Sequence, residues 1–331
     1  MKKVHITSLG CAKNLVDSEV LGGQLKQRKY DLIKDPEKAD VIIINTCGFI
    51  EDAKNESIQA IFEAVDVTRR TGKKLFVTGC LSQRYREELR EEIPEVDAVF
   101  GTEDYENILK SLGEDDFHAE DMYKMRDLTT PGHFAYIKIS EGCDHTCAFC
   151  AIPGIRGKHR SRSIESIMGE AEALAEKGVK ELLLVSQDTS AYGRDLYGQP
   201  NTVEMIKTIA DANLFEWIRP LYWYPTNFPL KYIELMNEYE SIVPYLDMPI
   251  QHASDNVLRN MRRGETKRSL EQLYKNIRSI RPDITLRTTL ILGHPGEKQE
   301  DFEILKQFLK EIRFERIGSF IYSDEEGTTA F

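Results

Sequence analysis

Three cysteines in the middle of the chain, Cys143, Cys147 and Cys150, have the spacing C-x-x-x-C-x-x-C. Three thiolates can hold a four-iron cluster and leave one iron open to a small chelating molecule. Phe149 would give such a cluster apolar cover from solvent. The alternative is a zinc site with His145 as fourth ligand. Structural zinc prefers two separated ligand pairs, and His145 lies inside a tight loop, so the spacing favours iron–sulfur chemistry.

A second set of cysteines, Cys11, Cys47 and Cys80, lies in the first hundred residues at intervals of 36 and 33 residues. Six cysteines could form three disulfides, but disulfide frameworks belong to small secreted domains and a reducing cytosol keeps thiols free. The three could also be unrelated core residues, since free cysteine is commonly buried. Each follows a predicted strand at the same point, which favours a shared site.

The elements that must position this second set alternate between strand and helix, a pattern typical of a parallel sheet covered by helices. The predicted strands are VHITSLG, VIIINTC, KLFVTGC and a short AVFG. The predicted helices are NLVDSEVLGGQLKQ, EDAKNESIQAIFEAVDVTRR and SQRYREELREEI. A parallel sheet brings the carboxyl ends of its strands to one edge, where open α/β sheets build their sites. We therefore expect the three thiols to converge.

A second alternation predicts the element that positions Cys143, Cys147 and Cys150. The predicted strands are FAYIKIS, ELLLVSQ, WIRPLYWY, PYLDMPI, ITLRTTLILG and RIGSFIYS, and the predicted helices cover about 163–177, 202–213, 230–239, 254–278 and 297–311. Six units indicate an incomplete, TIM-like (β/α)6 barrel, which places chemistry in the loops after its strands. The fold class is α/β, with an N-terminal parallel-sheet domain at 1–101, a linker at 102–133 and the barrel at 134–331.

Composition and charge limit where the protein acts and what it binds. The chain of 331 residues contains no apolar stretch near the roughly 18 residues that a membrane span needs. Its start, MKKVHITSLGC, lacks the apolar run of a signal peptide, so we expect a soluble, cytoplasmic protein with no membrane partner. The net charge of -11 repels nucleic-acid phosphate unless a local basic patch exists, and it favours a basic protein partner.

The cysteine motif after the first strand of a six-unit barrel resembles the radical S-adenosylmethionine (SAM) superfamily. The preceding α/β domain with three strand-end cysteines resembles the methylthiotransferases of that superfamily, and the resemblance covers the whole chain. The segments that resemble the RimO type, which modifies an aspartate of ribosomal protein uS12, are SLGCAKNLVDSE, NTCGFIEDAKNESI, SEGCDHTCAFCAIPGIRGKHRSR, LLLVSQDTSAYG and LDMPIQHASDNVLRNMRRG. The related MiaB type, which modifies a tRNA adenosine, differs in these segments.

The resemblance implies two [4Fe-4S] clusters, one on each set of cysteines, and SAM as both radical source and methyl donor. The radical would remove hydrogen from the β-carbon of an aspartate, and methylated sulfur from the cluster on Cys11, Cys47 and Cys80 would replace it. The implied partners are ribosomal protein uS12, an electron donor such as a flavodoxin or ferredoxin, and a sulfur donor. Family members end in a small β-barrel domain of the TRAM kind, whereas this chain stops at Phe331 just after the sixth barrel strand, so either the chain is truncated or that domain is absent.

The resemblance also indicates residues that bind the cofactor. In the superfamily, the loop after the second barrel strand contacts the amino end of SAM, and here that loop holds Gln187 and Asp188. An acceptor facing an ammonium group is chemically sensible, although these side chains could simply cap the loop. Arg287, in the fifth strand region before the turn GHPGE, is a further candidate contact. An ordinary strand-to-helix turn is the alternative there.

The stretch GIRGKHRSRS at 154–163 places four positive charges beside the cysteine motif. Such a run is often a solvated loop. Arginine grips carboxylates with two parallel hydrogen bonds, so the alternative is that Arg156 and Arg160 receive the carboxylate of the substrate.

Other residues near the predicted strand ends have structural explanations. The aromatic run of Trp217, Tyr222, Trp223 and Tyr224 is expected to fill the barrel core, because aromatic side chains dominate cores; the alternative is that these rings stack on a base or adenine. His252 follows the fourth barrel strand and could carry a proton, but a hydrogen-bonded structural role is the better prediction.

Two other functions remain open from the sequence. A tRNA methylthiotransferase would use the same chemistry and would need a positive surface at the mouth of the site. A zinc-bound binding protein without turnover would contain zinc and no labile sulfide.

Overall fold

The computed structural model describes residues 1–115, 117, 119 and 121–331. It divides into two compact units, the first formed by Met1–Thr130 with Gly154–Arg156 and the second by Pro131–Pro153 with Gly157–Phe331. The described residues of 102–130 therefore group with the first unit. The assignment of 102–133 as a linker stays a prediction, and residues 116, 118 and 120 of that segment lie outside the described residues.

A five-stranded parallel sheet forms the centre of the first unit, with strand order β2-β1-β3-β4-β5. Its strands are β1 (Lys3–Ser8), β2 (Asp31–Leu32), β3 (Val41–Thr46), β4 (Lys74–Gly79) and β5 (Ala98–Val99). Every residue of β3 is buried, as expected of a central parallel strand with both faces covered. The predicted parallel sheet is confirmed. The short β2 was not predicted, because two residues are too few to form a recognisable pattern.

Helices pack against this sheet. They are α1 (Ala12–Gln27), α2 (Glu51–Thr71), α3 (Cys80–Arg84), α4 (Arg86–Glu92) and α5 (Tyr105–Ser111), with a short 3-10 helix at Pro36–Lys38. Ile61 and Val65 of α2 share a buried cluster with Leu75 of β4, and each such side chain contributes about 1.5–3 kcal/mol through burial. The helix predicted over SQRYREELREEI is instead two short helices, because the backbone of Tyr85 (φ -127°, ψ 44°) leaves the helical region.

The second unit contains the six predicted barrel strands in chain order. Its strands are β6 (Phe134–Lys138), β7 (Ser140–Glu141), β8 (Arg160–Ser161), β9 (Glu181–Val185), β10 (Trp217–Pro220), β11 (Tyr245–Asp247), β12 (Thr285–Leu292) and β13 (Arg316–Ile321). The barrel strands form two parallel sheets, β10-β9-β6 and β11-β12-β13, and a parallel bridge joins Ile218 to Ile242. This arrangement confirms the α/β class. The antiparallel hairpin β7-β8 was not predicted.

The remaining helices are α6 (Ile152–Arg156), α7 (Ile164–Glu176), α8 (Arg194–Tyr197), α9 (Thr202–Asp211), α10 (Lys231–Glu238), α11 (Asp255–Asn260), α12 (Lys267–Ile280) and α13 (Gln299–Ile312), with a 3-10 helix at Thr189–Ala191. The single helix predicted across 254–278 is wrong. Arg262 adopts a left-handed backbone (φ 55°) that ends α11, and the Thr266 hydroxyl caps a new helix by accepting the N–H of Ser269. Within the described ranges, no helix combines the length and apolarity needed to cross a membrane.

Candidate metal-binding cysteine sites

The first triad, Cys11, Cys47 and Cys80, lies at the carboxyl ends of three neighbouring strands. Each cysteine is within three residues of the end of β1, β3 or β4, and the order β1-β3-β4 puts these ends side by side. The thiols are near enough to affect one another's pKa values: Cys11 raises the pKa of Cys47, and Cys11 and Cys47 both raise that of Cys80. The structure therefore brings together three thiols from separate strand-to-helix turns. Their assignment as metal ligands stays a prediction.

Two glycines allow these turns to approach one another closely. A β-carbon on Gly10, whose φ is +86°, would lie 2.7 Å from Cys47 Sγ. A β-carbon on Gly48 would lie 2.6 Å from the Cα of Leu81. Any larger residue would push the turns apart, so glycine is required at both positions. Neither was predicted as part of the site, although each is adjacent to a cysteine in the sequence.

Asn14 and Ser57 fix the turns that carry the first triad. Asn14 Nδ2 donates to the carbonyl oxygens of Leu9 and Thr46, at 3.0 and 2.9 Å, and so ties the ends of β1 and β3 together. The Ser57 hydroxyl accepts the N–H of Cys47 at 2.9 Å and donates to its carbonyl oxygen at 2.8 Å. These bonds satisfy buried backbone groups where the strands end.

Arg156 is buried beside the first triad, with 1% of its side chain exposed. Its Nε donates a hydrogen bond to Cys80 Sγ over 3.3 Å. Its Nη2 donates to Asn14 Oδ1 and, over 3.2 Å, to Asp17 Oδ2. The prediction that Arg156 receives a substrate carboxylate is wrong, because its guanidinium already binds these partners.

The pKa values of the three cysteines in the first triad are shifted in different directions. Burial raises the pKa of Cys80 to about 11 and also raises the pKa of Cys47. Burial acts in the same direction on Cys11, but the charges of Lys13 and Arg156, with backbone hydrogen bonds, bring the pKa of Cys11 below its ordinary value. A metal must therefore displace protons mainly from Cys47 and Cys80.

The second triad consists of Cys143, Cys147 and Cys150. It lies in the loop between β7 and β8, whose antiparallel pairing joins the two ends of the loop. The N–H of Cys143 donates to the carbonyl oxygen of Gly157, and the N–H of Cys150 to that of Cys147, both over 3.1 Å. The three thiols interact electrostatically. Burial raises the pKa of Cys143 to about 12 and that of Cys150 to about 11.

A cluster of side chains packs against the second triad. The His145 ring stacks on that of Tyr224 with centroids 3.8 Å apart, and the Arg263 guanidinium lies 4.1 Å from the centroid of the same ring. Tyr224 Oη is 4.0 Å from Cys147 Sγ. His145 Nε2 is 2.7 Å from Asp188 Oδ2, so this ring nitrogen has a carboxylate partner. Tyr224 was predicted as core, and only the folded chain reveals this position.

The predicted cofactor residues Gln187 and Asp188 differ in what they offer a ligand. Gln187 Nε2 donates to Glu141 Oε1 over 2.7 Å, and Glu141 pairs with Lys138 at 2.7 Å. Gln187 Oε1 is buried and accepts no hydrogen bond from the part of the chain that the structure describes. Asp188 Oδ1 instead accepts the N–H of Ser190 at 2.8 Å, which is a loop-capping role. A buried acceptor without a donor indicates a missing partner at Gln187.

Arg287 lies inside β12, at its third residue, and not at the strand end. It pairs with Asp247, whose other oxygen accepts the N–H of Tyr222 at 3.3 Å. The Arg287 side chain remains partly exposed, at 36%. Its role as a cofactor contact stays a prediction.

The other residues singled out in the sequence have mixed outcomes. Trp223 is buried against Tyr232, as predicted for the core, whereas Trp217 begins β10 and is 53% exposed, so its prediction as core is wrong. His252 is fully buried and its Nδ1 accepts the N–H of Ser254 at 3.0 Å, which confirms the structural role.

The basic stretch is not one solvated loop. Arg162 pairs with Glu170, whose side chain is completely buried. Lys158 and Arg160 have exposed side chains. The side chains of Arg156 and Arg162 are much less accessible, at 1% and 10% exposure.

Two family models match the chain. The uncharacterized protein family UPF0004 matches residues 3–101, and the Radical SAM superfamily matches residues 137–309. Among curated relatives, the ribosomal protein uS12 methylthiotransferase RimO of Flavobacterium johnsoniae is 48% identical over 99% of this chain and 76% of its own length. The protein of the same name from Aquifex aeolicus is 50% identical over 99% of this chain and 74% of its own length.

Solved structures with a similar fold are enzymes of the radical SAM class. The radical SAM methyltransferase TsrM from Kitasatospora setae has a TM-score of 0.69 at 14% identity and covers 96% of this chain and 73% of its own. The cobalamin-dependent SAM radical enzyme OxsB has a TM-score of 0.65 at 13% identity, with coverages of 93% and 52%. At these identities the similarity concerns the fold alone.

Proposed function

The chain belongs to the RimO family of ribosomal protein uS12 methylthiotransferases, and from that membership we propose that it attaches a methylthio group to the β-carbon of an aspartate in ribosomal protein uS12. The single observation that carries this proposal is the match to curated RimO proteins over nearly the whole chain, which includes both triads. The protein is then an enzyme, a sulfur-group transferase of the radical SAM class. Its place of action is the cytoplasm, where ribosomal proteins are made and assembled.

The residues at both triads fit iron–sulfur clusters. Each triad offers three converging thiols, and backbone N–H groups of His145 and Ile152 point at the second triad, on Cys143 and Cys150. At the first triad, the Nε–H of Arg156 donates to Cys80 Sγ, and cluster thiolates commonly receive such a hydrogen bond. We assign one [4Fe-4S] cluster to each triad and SAM to the iron left open by the second.

When bound, the cluster on Cys143, Cys147 and Cys150 and SAM supply the one-electron chemistry that removes hydrogen from an unactivated carbon. The chain's own residues orient the ligand and exclude water. We assign Gln187 Oε1 as an acceptor for the ammonium group of SAM, and its burial without a donor among the described residues supports this assignment. Tyr224, with His145 and Arg263 packed on its ring, covers the Cys147 thiol.

Charge supports a basic protein as the substrate. The net charge of -11 attracts a basic ribosomal protein and repels RNA, over a range of roughly 8 Å at physiological salt. Lys158 and Arg160 are exposed and are the cations we assign to the substrate carboxylate. An electron donor such as a flavodoxin or ferredoxin and a separate sulfur donor complete the reaction.

Anaerobic reconstitution followed by mass analysis tests the proposal. We expect about eight irons per chain, one cubane per triad. Replacing Cys143, Cys147 and Cys150 by Ala should remove about half of the iron and all SAM cleavage. Replacing Cys11, Cys47 and Cys80 should spare SAM cleavage and abolish sulfur insertion, so each triple variant serves as the control for the other.

The substrates offered are a uS12 peptide that contains the aspartate and a tRNA fragment that contains the adenosine. A methylthio group on the peptide supports the proposal. Modification of the tRNA fragment alone would assign the chain to the tRNA enzymes. Zinc without labile sulfide would remove the enzyme assignment altogether.

A further inference from the structure

The contact between Arg156 and Cys80 is specific in its geometry. Asn14 Oδ1 and Asp17 Oδ2 hold Nη2 of the guanidinium, and this leaves Nε directed at Cys80 Sγ, 3.3 Å away. Asp17 is itself fixed, because the Tyr105 hydroxyl donates to its other oxygen over 2.9 Å. The arginine is thus locked by partners on α1 and presents one N–H to one sulfur.

A buried guanidinium is costly unless several partners satisfy it, so its presence beside thiols calls for an explanation. Asp17 and Asn14 alone would satisfy Nη2 without any need for Nε to face a sulfur. Hydrogen bonds to ligand sulfurs and nearby positive charge both stabilise the added electron of a reduced iron–sulfur cluster. The Nε–H of Arg156 supplies the hydrogen bond to sulfur, and its guanidinium supplies the positive charge.

We propose that Arg156 is a positioning residue of the first triad, which hydrogen-bonds the Cys80 sulfur and raises the reduction potential of the cluster held there. This role rests on the proposed function, since it requires a cluster on Cys11, Cys47 and Cys80. Arg156 holds the ligand sulfur and does not touch the substrate.

The test uses the full chain with Cys143, Cys147 and Cys150 replaced by Ala, so that only the first triad can hold iron. In this parent we compare Arg156→Gln, Arg156→Lys and the matched control Arg90→Gln, which changes an exposed arginine of α4 paired with Glu87. The measurements are iron content, the reduction potential followed by electron paramagnetic resonance, and the coupling of the cluster to an exchangeable proton.

We expect Arg156→Gln to shift the potential to a more negative value and to lose the exchangeable-proton coupling. Arg156→Lys keeps the charge but not the fixed Nε–H, so its potential should lie between those of Arg156→Gln and the parent. Arg90→Gln should match the parent. If Arg156→Gln fails to retain iron, the potential of Arg156→Lys tests the role of Arg156 instead. A potential of Arg156→Lys equal to that of the parent overturns this role.

An unchanged potential and coupling in Arg156→Gln, in a protein that holds iron, overturns the role of Arg156 and leaves the proposed function intact. A parent that binds no iron overturns the two-cluster proposal, and the role of Arg156 with it. The two failures are therefore distinguishable in one set of samples.

Discussion

The imidazole of His145 lies flat against the phenol ring of Tyr224, with planes inclined by 10°. His145 is part of the short loop between Cys143 and Cys147, so the stack holds that loop in place. Tyr224→Ala should lose iron from the second triad, because it removes a stack and a cation–π contact worth about 1 kcal/mol each. Tyr224→Phe keeps the ring and should retain the iron. Iron content after reconstitution measures both, and full iron in Tyr224→Ala would contradict the expectation.

Gln187→Ala should weaken SAM binding by about 10- to 160-fold, since a hydrogen bond to a charged group contributes about 1.5–3 kcal/mol. The variant should keep its iron, because Gln187 contacts Glu141 and no thiol in the described structure. Equilibrium dialysis of reconstituted protein gives the affinity. Gln59→Ala, on the exposed face of α2, is the control and should bind like the unmodified chain. Equal affinities in the two variants would exclude Gln187 from the cofactor site.

The stability of the fold should fall below about pH 6.5, the ordinary pKa of histidine, and His252 should account for part of the loss. Burial lowers the pKa of His252, although Glu297, 3.5 Å away, and Asp301 act to raise it and His294 acts to lower it. A lowered pKa means that the unfolded chain takes up the proton more readily, so protonation favours unfolding as pH falls. Asn at this position can still accept the N–H of Ser254. Urea midpoints of His252→Asn from pH 7.5 to 5 should therefore decline less steeply, and an identical decline would count against this role.

Glu19→Ala should destabilise the first unit by about 3–5 kcal/mol, because it removes a completely buried carboxylate that pairs with the completely buried guanidinium of Arg126. Glu19 also accepts hydrogen bonds from the N–H and hydroxyl of Thr129, so the same change removes both of these bonds. The control is Lys26→Ala, which breaks an ion pair with Asp127 that lies near the surface and should cost at most about 1 kcal/mol. Urea denaturation compares them, and similar losses in the two variants would show that burial of the pair does not matter.

The positions of both triads could be predicted from the sequence, whereas the side chains around them could not. Cys11, Cys47 and Cys80 follow apolar strands, and a parallel sheet brings such ends together whatever the details of packing. Arg156 and Asn14 are 142 positions apart, and no local pattern links them. The same holds for His145 and Tyr224, because contacts between distant segments depend on packing and not on periodicity. The resemblance to the radical SAM superfamily and the position after the second barrel strand pointed to Gln187, whereas only the fold shows that its Oε1 is buried with no hydrogen-bond donor among the described residues.

The two triads differ in how much chain they enclose, and this difference has a consequence for folding. The thiols of the first triad come from three separate crossovers, so any cluster held there cross-links segments 36 and 33 residues apart. Such a cross-link lowers the conformational entropy of the unfolded chain, as a disulfide does, and the effect is larger for longer loops. The second triad spans only residues 143–150 and encloses little chain. A cluster bound to the first triad should therefore stabilise the whole parallel sheet against unfolding, whereas a cluster bound to the second triad should order one loop.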